Sequence, residues 1–243
     1  MREYGLIGHP LVQSFSKIYF ENKFTRENIE DAKFHLFDIE SIDELKVVLA
    51  AHPNLKGFAV TIPYKQSVLK YLHNISDEAK SIGAVNCVKV DQGILTGFNT
   101  DVVGFAASFI PMLRQENNNA LVLGTGGASK AVQYVLRQNK IPFQLVSRKA
   151  RQDTITYEAV DKTLMQCYNL IINCTPLGMV PNIESFPALP YEYLNENHVF
   201  YDLVYKPEET MFLRKAKQKG ATVANGFDML IAQAEKNWDI WNG

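Results

Sequence analysis

Residues 122–132, VLGTGGASKAV, place a glycine-rich turn between an apolar run and a helical pattern. A strand, a glycine turn and a helix in this order are typical of the loop that binds the pyrophosphate of a dinucleotide. Gly124 permits the tight turn, Gly126 lets the backbone approach the phosphates, and N–H groups at the helix start bind the anion. Ser129 stands where the usual pattern has its third glycine. A glycine-rich turn without a ligand is the alternative, and the candidate cofactor-binding residues are Gly124, Gly126, Gly127 and Ala128.

The next apolar run, PFQLVS, ends in the basic stretch SRKAR at residues 147–151. NAD-binding domains usually have an Asp or Glu about 20 residues beyond the glycines, where it holds the ribose hydroxyls. This chain has basic residues and no carboxylate there, and a guanidinium matches a 2′-phosphate in charge and bidentate geometry. The stretch therefore predicts NADP (NADPH) rather than NAD, although three basic residues after a strand also suit a solvated loop. The candidate residues are Ser147, Arg148 and Lys149.

Strand-like runs alternate with helical patterns along the chain, which predicts parallel sheets with helices on both faces. One series precedes and another follows a long helical pattern that starts near residue 99 and is ended or kinked by Pro111. Residues 84–98, AVNCVKV-DQG-ILTGF, predict a hairpin. The polar stretch QENNN at 115–119 is predicted to be a connector. Two such series predict two α/β domains with a cleft between them.

The overall composition excludes several classes of protein. The chain has 243 residues, is 47% hydrophobic and carries a formal net charge of -1, so no overall field attracts nucleic acid or an anionic membrane. We expect a cytoplasmic protein, because no window approaches a membrane span and the start lacks a signal peptide. The 3 cysteines are odd in number and lack metal-ligand spacing, which fits reduced thiols. The 5 histidines show no paired spacing, so the sequence predicts no metal site.

Five short polar stretches follow predicted strands or begin predicted helices, where an open α/β sheet places its ligands. Each has a structural alternative. In that alternative, the serines and the aspartate cap helices, and the lysine lies on the surface after a proline turn. The amide side chains then bond to the backbone or face solvent. Taken singly, these residues do not identify an active site. The stretches are GHPLVQSFS, VTIPYK, IGAVNCV, GFNTD and FDMLIAQAEKNW.

Taken in order, these motifs resemble the shikimate dehydrogenase family (shikimate 5-dehydrogenase, NADP-dependent). The resemblance also includes LGTGGAS, INCTPLGM and YDLVYKPEETMFLRKAKQKGA, and it covers nearly the whole chain. It implies an N-terminal substrate domain and a Rossmann-type NADP-binding domain with a cleft between them. We expect residues 1–100 plus about 227–243 to form the substrate-binding catalytic domain, and residues 101–226 to form the NADP-binding domain.

The resemblance also implies roles for individual residues. Lys65 matches the catalytic lysine, with Asp101 beside it, and Arg148 matches the arginine that grips the adenosine 2′-phosphate. The implied substrate-binding residues are Ser14, Ser16, Thr61, Asn86, Asp101, Tyr205 and Gln233. The implied cofactor-binding residues are Gly124, Gly126, Gly127, Ala128, Ser147, Arg148, Lys149, Gly226 and Met229.

Two stretches depart from the family pattern. The family usually continues its serine motif with a proline and then His-Asn, whereas this chain reads SFSKIYFENKF. The family often has Asn before the arginine and a second arginine further on. Here Ser147 precedes Arg148, and Lys149 or Arg151 supplies any additional charge.

The implied reaction is the reversible NADPH-dependent reduction of 3-dehydroshikimate to shikimate, a step of chorismate and hence aromatic amino acid biosynthesis. Lys65 would transfer or stabilise the alcohol proton, either alone or as a pair with Asp101. A quinate/shikimate dehydrogenase and a non-catalytic NADP-binding regulatory protein are the alternatives. The expected partner is the small-molecule substrate, with no nucleic acid and no membrane, and the chain is expected to be a monomer or a homodimer.

Overall fold

Two six-stranded sheets organise the chain. The computed structural model describes residues 1–11, 14–114 and 119–243. The first unit comprises Met1–Thr100 and Gln233–Gly243, and the second comprises Asp101–Ala232. The predicted connector lies outside the described residues except for Asn119. None of the helices in the described ranges is long and apolar enough to cross a membrane.

The first unit contains a mixed sheet in the order β2-β1-β3-β5-β6-β4. Strands β1, β2 and β3 are mutually parallel, as the alternation predicts, whereas β5 runs antiparallel to both β3 and β6. The tight turn at Gln92 and Gly93, both at positive φ, makes β5 and β6 antiparallel neighbours, as the predicted hairpin requires. The strands are β1 Arg2–Gly8, β2 Ala32–Asp38, β3 Leu55–Val60, β4 Asn74–Ile75, β5 Cys87–Asp91 and β6 Ile94–Phe98. The helices are α1 Phe15–Arg26, α2 Leu45–Ala51 and α3 Asp77–Ile82.

The second unit contains a sheet in which all strand pairs of the described residues are parallel. Its central strands are buried on both faces, as a sheet covered by helices requires. The strands are β7 Ala120–Leu123, β8 Phe143–Val146, β9 Thr154–Ile155, β10 Leu170–Asn173, β11 Val199–Asp202 and β12 Thr222–Asn225. The helices are α4 Asp101–Phe109, α5 Gly127–Gln138, α6 Lys162–Cys167, α7 Met211–Lys217 and α8 Phe227–Asn242, the last of which continues into the first unit.

The strand order of this second sheet is β12-β11-β10-β7-β8-β9. Counted from β7, it is the 3-2-1-4-5-6 order of dinucleotide-binding domains. The order reverses between β7 and β10, and ligands of open α/β sheets bind beyond the carboxyl ends of the strands at such a point. The fold therefore directs attention to the residues that follow β7 and β10.

Two helices are anchored by aromatic contacts inside their own units. In α4, Phe105 and Phe109 pack edge-on against Tyr201 of β11, and a 3₁₀ turn that contains Pro111 follows the helix, as predicted. In α8, Trp241 belongs to the first unit and lies over Gly57 of β3, where an added Cβ would be 2.1 Å from the indole ring. The indole N–H also donates to the carbonyl of Val88. These contacts set the positions of the polar residues at other points of the two helices.

Candidate active site

The polar residues of the first unit gather at one edge of its sheet. The carboxyl ends of β1 and β3 lie there because these strands are parallel. The beginning of β5 lies at the same edge because β5 is antiparallel to β3, and the end of β6 returns to it. Two hydrogen bonds show the result: the Val60 N–H donates to the Asn86 carbonyl at 2.8 Å, and the Asn86 N–H donates to the Phe98 carbonyl at 3.1 Å.

Ser14 is the N-cap of α1, which settles the predicted choice between the two serines as the cap. Its extended backbone lets the hydroxyl oxygen accept from the Lys17 N–H at 3.4 Å. Ser16 lies in the first turn of the helix and is half-buried. The hydroxyl hydrogen of Ser14 remains a donor, and the helix N-terminus favours negative charge. This end of α1 has the chemistry that suits a carboxylate.

Thr61 and Lys65 follow β3 in a segment that is fixed by its backbone. The Thr61 N–H donates to the Ile7 carbonyl at 2.9 Å, and the Lys65 carbonyl accepts from the Val85 N–H at 2.7 Å. The methyl group of Thr61 occupies the space beside Gly8, where an added Cβ would lie 2.4 Å from it. Between the two residues, the buried Tyr64 donates its hydroxyl to the Ile39 carbonyl. The amine of Lys65 therefore starts from a restrained backbone next to Asn86.

A chain of buried amides and one hydroxyl connects Asn86 to the last helix. The Thr100 N–H donates to Asn86 Oδ1 at 2.6 Å, and the Thr100 hydroxyl donates to Asn237 Oδ1 at 2.6 Å. Asn237 Nδ2 in turn donates to Gln233 Oε1 at 3.3 Å. Thr100 and Asn237 are each 1% exposed, so losing a partner would leave a polar group buried without compensation. The chain brings Asn86 and Gln233 into one assembly, and Asp101 follows Thr100 directly.

In the second unit the glycine loop has the predicted geometry. Gly124 has a φ of +100°, which favours glycine, and Gly126 is the N-cap of α5. Apart from its two neighbours in the chain, no atom of the described residues lies within 4 Å of a Cβ added to Gly126, so the space beside this glycine is open. Gly127 and Ala128 form the first turn, and no side chain of the cap bonds to it. Ser129, at the third glycine position, is fully buried, so this position requires a small residue.

Arg148 lies close to this loop along the sheet. The Gly124 N–H donates to the Val146 carbonyl at 2.8 Å, so the glycine turn begins beside the end of β8. Ser147 is half-buried, and Arg148 and Lys149 are exposed. The Ser147 hydroxyl accepts from the Lys149 N–H at 3.4 Å, and β9 folds back so that Thr154 bonds to the same turn. The edge therefore presents a helix N-terminus and a basic turn together, which suits a dinucleotide with an additional phosphate.

A buried carboxylate holds the ends of β10 and β11. Asp202 accepts hydrogen bonds from Asn173 Nδ2 at 2.9 Å, the Val204 N–H at 3.0 Å and the Thr210 hydroxyl at 2.6 Å. Burial raises the pKa of Asp202 to about 6, although the three donated hydrogen bonds act to lower this pKa. Asn173 Oδ1 then accepts from both the N–H and the hydroxyl of Thr175. The Thr175 methyl lies 3.0 Å from the position of a Cβ on Gly124, so this network supports the glycine turn.

The remaining predicted residues of the second unit follow β11 or lie at the beginnings of α4 and α8. Tyr205 is three residues beyond Asp202, and burial raises the pKa of its hydroxyl. Gly226 packs against this segment, because an added Cβ would lie 2.3 Å from the Leu203 carbonyl oxygen. Met229 is buried on α8, and Asp101 is buried at the start of α4. Gly226 is therefore required for close backbone packing, whatever ligand the unit binds.

Several residues that organise the two assemblies are absent from the sequence-based candidates. These are Asn237 in the first unit and Asn173, Asp202 and Thr210 in the second. The available signal was a polar residue at the end of an apolar strand, as in LIIN and VFYD, and an asparagine one helical turn after Gln233. Such signals indicate a polar residue but do not reveal its partner.

Known proteins are similar to this chain over almost its whole length. Residues 6–88 match the family model described as the shikimate dehydrogenase substrate binding domain. A shikimate dehydrogenase (NADP(+)) of Methanococcus maripaludis is 35% identical over 260 residues, covering 98% of this chain and 91% of the relative. A shikimate dehydrogenase (NADP(+)) of Clostridium beijerinckii is 37% identical over 265 residues, covering 99% and 92%.

A solved structure has the same fold. The shikimate 5-dehydrogenase of Thermus thermophilus, crystallised in complex with NADP(H) and shikimate, superimposes with a TM-score of 0.88 at 30% identity, covering 100% of this chain and 94% of that one. With relatives above 30% identity along nearly the full chain, and with the ordered motifs placed as described above, the chain belongs to the shikimate dehydrogenase family.

Proposed function

We propose that this chain is an NADP-dependent shikimate dehydrogenase, an oxidoreductase that reversibly reduces 3-dehydroshikimate to shikimate in aromatic amino acid biosynthesis. The observation that carries the proposal is the assembly at one edge of the first sheet. The backbone of Lys65 is bonded beside Asn86, and the Asn86 side chain is connected through Thr100 and Asn237 to Gln233. This assembly supplies a cation and several hydrogen-bonding groups of the kind that a polyhydroxylated ring requires.

We propose that the first unit is the substrate-binding catalytic domain. The hydroxyls of Ser14 and Ser16 would hold the carboxylate at the start of α1. Thr61, Asn86 and Asp101 would bind ring hydroxyls, with Tyr205 and Gln233 as further contacts. We assign the side-chain amide of Asn86 to the substrate, and the hydrogen bond that its Oδ1 accepts from the Thr100 N–H holds this amide in place.

The second unit fits NADP. The open space beside Gly126, the start of α5 to which no cap side chain bonds, and the exposed Arg148 at the end of β8 all suit its phosphates. Gly124, Gly126, Gly127 and Ala128 would hold the pyrophosphate. Ser147, Arg148 and Lys149 would hold the 2′-phosphate, and Gly226 and Met229 would border the nicotinamide. When bound, NADPH supplies the hydride.

Lys65 is the residue that we assign to the proton. During reduction its ammonium stabilises the developing alkoxide and delivers the proton that completes the alcohol, and in the reverse direction its amine accepts that proton. Asp101 acts with it. The restrained backbone of Lys65 reduces the orientation entropy that is lost in the reaction.

The direct test is the absorbance of NADPH in the presence of 3-dehydroshikimate. We expect NADPH to be consumed only when the substrate is present, and NADP⁺ to be reduced when shikimate is supplied. Steady-state rates with shikimate and quinate, each with NADP⁺ and NAD⁺, distinguish a quinate/shikimate dehydrogenase. Binding of NADPH without turnover of either acid would instead indicate the non-catalytic regulatory alternative.

Arg148→Ala tests the choice of cofactor. We expect kcat/KM for NADPH to fall about 10- to 100-fold, the value of one charge-assisted hydrogen bond to a phosphate, and kcat/KM for NADH to change little. Arg137→Ala, which removes an exposed arginine from α5 of the same unit, is the matched control. An equal loss with both cofactors would show that Arg148 affects the fold rather than phosphate recognition.

We also propose a cytoplasmic location. All three cysteines are free in the described chain, which agrees with a reducing compartment. The oligomeric state, monomer or homodimer, stays a prediction.

A further inference from the structure

Three side chains with metal-binding chemistry meet at the opposite edge of the first sheet from the proposed active site. Glu3 lies at the beginning of β1, His35 on β2, and His52 directly after α2. Parallel pairing places His35 opposite Gly5, so Glu3 and His35 are diagonal neighbours on one face. Gly5 has no side chain, and the ring of Phe37 fills the vacant space and packs against both histidines.

The distances within this cluster are short. Glu3 Oε1 lies 3.2 Å from His35 Nε2, and Glu3 Oε2 lies 3.2 Å from His52 Nδ1. One ligand atom from each side chain lies within 4.8 Å of the other two. The three side chains are between 18% and 25% exposed, so the cluster is sheltered but reachable from solvent.

Hydrogen bonding accounts for only part of this arrangement. His52 Nδ1 bonds to Glu3, but His35 Nε2 is buried and, although close to Glu3, has no hydrogen-bond partner among the described residues. The cluster therefore contains a buried imidazole nitrogen that the described residues leave unsatisfied, and an imidazole nitrogen is a common metal ligand.

We propose that Glu3, His35 and His52 bind one divalent transition metal ion of the Zn²⁺ type. Two imidazoles and one carboxylate are a known three-ligand set for zinc, with water in the fourth position. Zinc–ligand distances of about 2.0–2.2 Å separate tetrahedral ligand atoms by about 3.3 Å. Each histidine nitrogen lies at about this separation from a different oxygen of Glu3, so binding one ion through a single carboxylate oxygen requires a small movement of these side chains. The ion would join β1, β2 and the segment before β3, so its role is structural.

The spacing of these residues explains why the sequence predicts no metal site. The three ligands come from three separate elements, and only the parallel pairing of β1 with β2 and the return of the chain after α2 bring them together. The site does not depend on the proposed dehydrogenase activity, since it lies at the amino-terminal edge of the parallel strands.

The test is Zn²⁺ binding by the full chain, measured by calorimetry after removal of metal with a chelator. The parent should carry Cys167→Ser, because Cys167 is an exposed free thiol that itself binds zinc. We expect one Zn²⁺ per chain, and a rise in Tm of about 5 °C at a hundredfold excess over Kd. His35→Gln, His52→Gln and Glu3→Gln should each weaken binding at least tenfold and, at the same Zn²⁺ concentration, reduce the rise in Tm by about half or more.

His73→Gln is the matched control, because His73 belongs to the same unit but lies outside the cluster. It should leave Zn²⁺ affinity unchanged. Melting curves in chelator establish that each variant is folded. His52→Gln is the substitution least connected to the sheet, because His52 lies beyond the end of α2. The proposal is overturned if the parent binds no Zn²⁺, or if the three variants bind it as tightly as the parent does.

Discussion

Lys65→Ala is expected to lower kcat by about two to four orders of magnitude, the range for a positioned acid–base group. KM for shikimate should change much less, because Ser14, Ser16 and the Asn86–Gln233 assembly still hold the substrate. The lysine carries two functions that alanine cannot supply: a positive charge near the developing alkoxide and an exchangeable proton. Steady-state kinetics in both directions measure the effect.

Lys65→Arg separates these two functions. A guanidinium keeps the charge but does not release its proton at the pH of the assay. If kcat falls as far with arginine as with alanine, proton transfer accounts for the effect, whereas partial activity assigns a share to the charge. Lys56→Ala, on β3 of the same unit, is the control for loss of a lysine. A kcat within a few-fold of the parent in Lys65→Ala would exclude the assigned role.

Asp101→Asn, alone and combined with Lys65→Ala, tests whether Lys65 and Asp101 act as a pair. If the two residues act as a pair, the double variant should be little slower than Lys65→Ala alone, because the effects of groups that act as a unit are not additive. Additive losses would instead show that the two residues act independently rather than as a pair.

Local sequence signals predicted much of the fold. Gly124 has the positive φ of the predicted tight turn, and Gly126 caps the predicted helix, because such features are properties of a few adjacent residues. The hairpin turn at Gln92 and Gly93 is local in the same sense. Patterns of this kind need no knowledge of the partner segment.

The features that could not be predicted depend on long-range pairing. The antiparallel direction of β5 places Asn86 at the active-site edge, and strand direction is not encoded in the apolar pattern of one strand. Asn237 bonds to Thr100 across 137 positions of the chain, and Asp202 bonds to Asn173 across 29. A polar residue in an apolar run shows that a partner exists, but only the fold identifies it.

Asp202→Ala is expected to lower the free energy of unfolding at pH 7 by about 3–5 kcal/mol, because it leaves buried donors on Asn173, Val204 and Thr210 without an acceptor. KM for NADPH should rise as well, since Asn173 holds the Thr175 segment that packs on the glycine turn. Hydrogen exchange at β10 and β11 should increase first. Both tryptophans belong to the first unit, so their fluorescence reports the unfolding of that unit. It provides the comparison for a loss of stability that is confined to the second unit.

Asp202→Asn is expected to have a different, pH-dependent result. The amide keeps the shape and an acceptor oxygen for Asn173 and Val204, so the variant should fold. In the parent, the pKa of Asp202 is raised from 3.8 to about 6. Between these values the folded state keeps a proton that the unfolded state releases, so rising pH favours unfolding, by roughly 3 kcal/mol in total. The pH-dependent part of the stability, which comes from the proton on Asp202, is thus full below about pH 4 and lost above about pH 6, while the hydrogen bonds that Asp202 accepts persist at pH 7.

Titrations shared by the two proteins cancel when their free energies of unfolding are subtracted. The stability of the parent relative to Asp202→Asn should therefore fall as pH rises from about 4 to about 7, as measured by denaturant unfolding at several pH values. A difference that stays constant, or one that grows with pH, would mean that the three donors outweigh burial and that the carboxylate is already ionised well below pH 6. In that case the network would be held by a charge, and the amide variant would be the less stable protein at neutral pH.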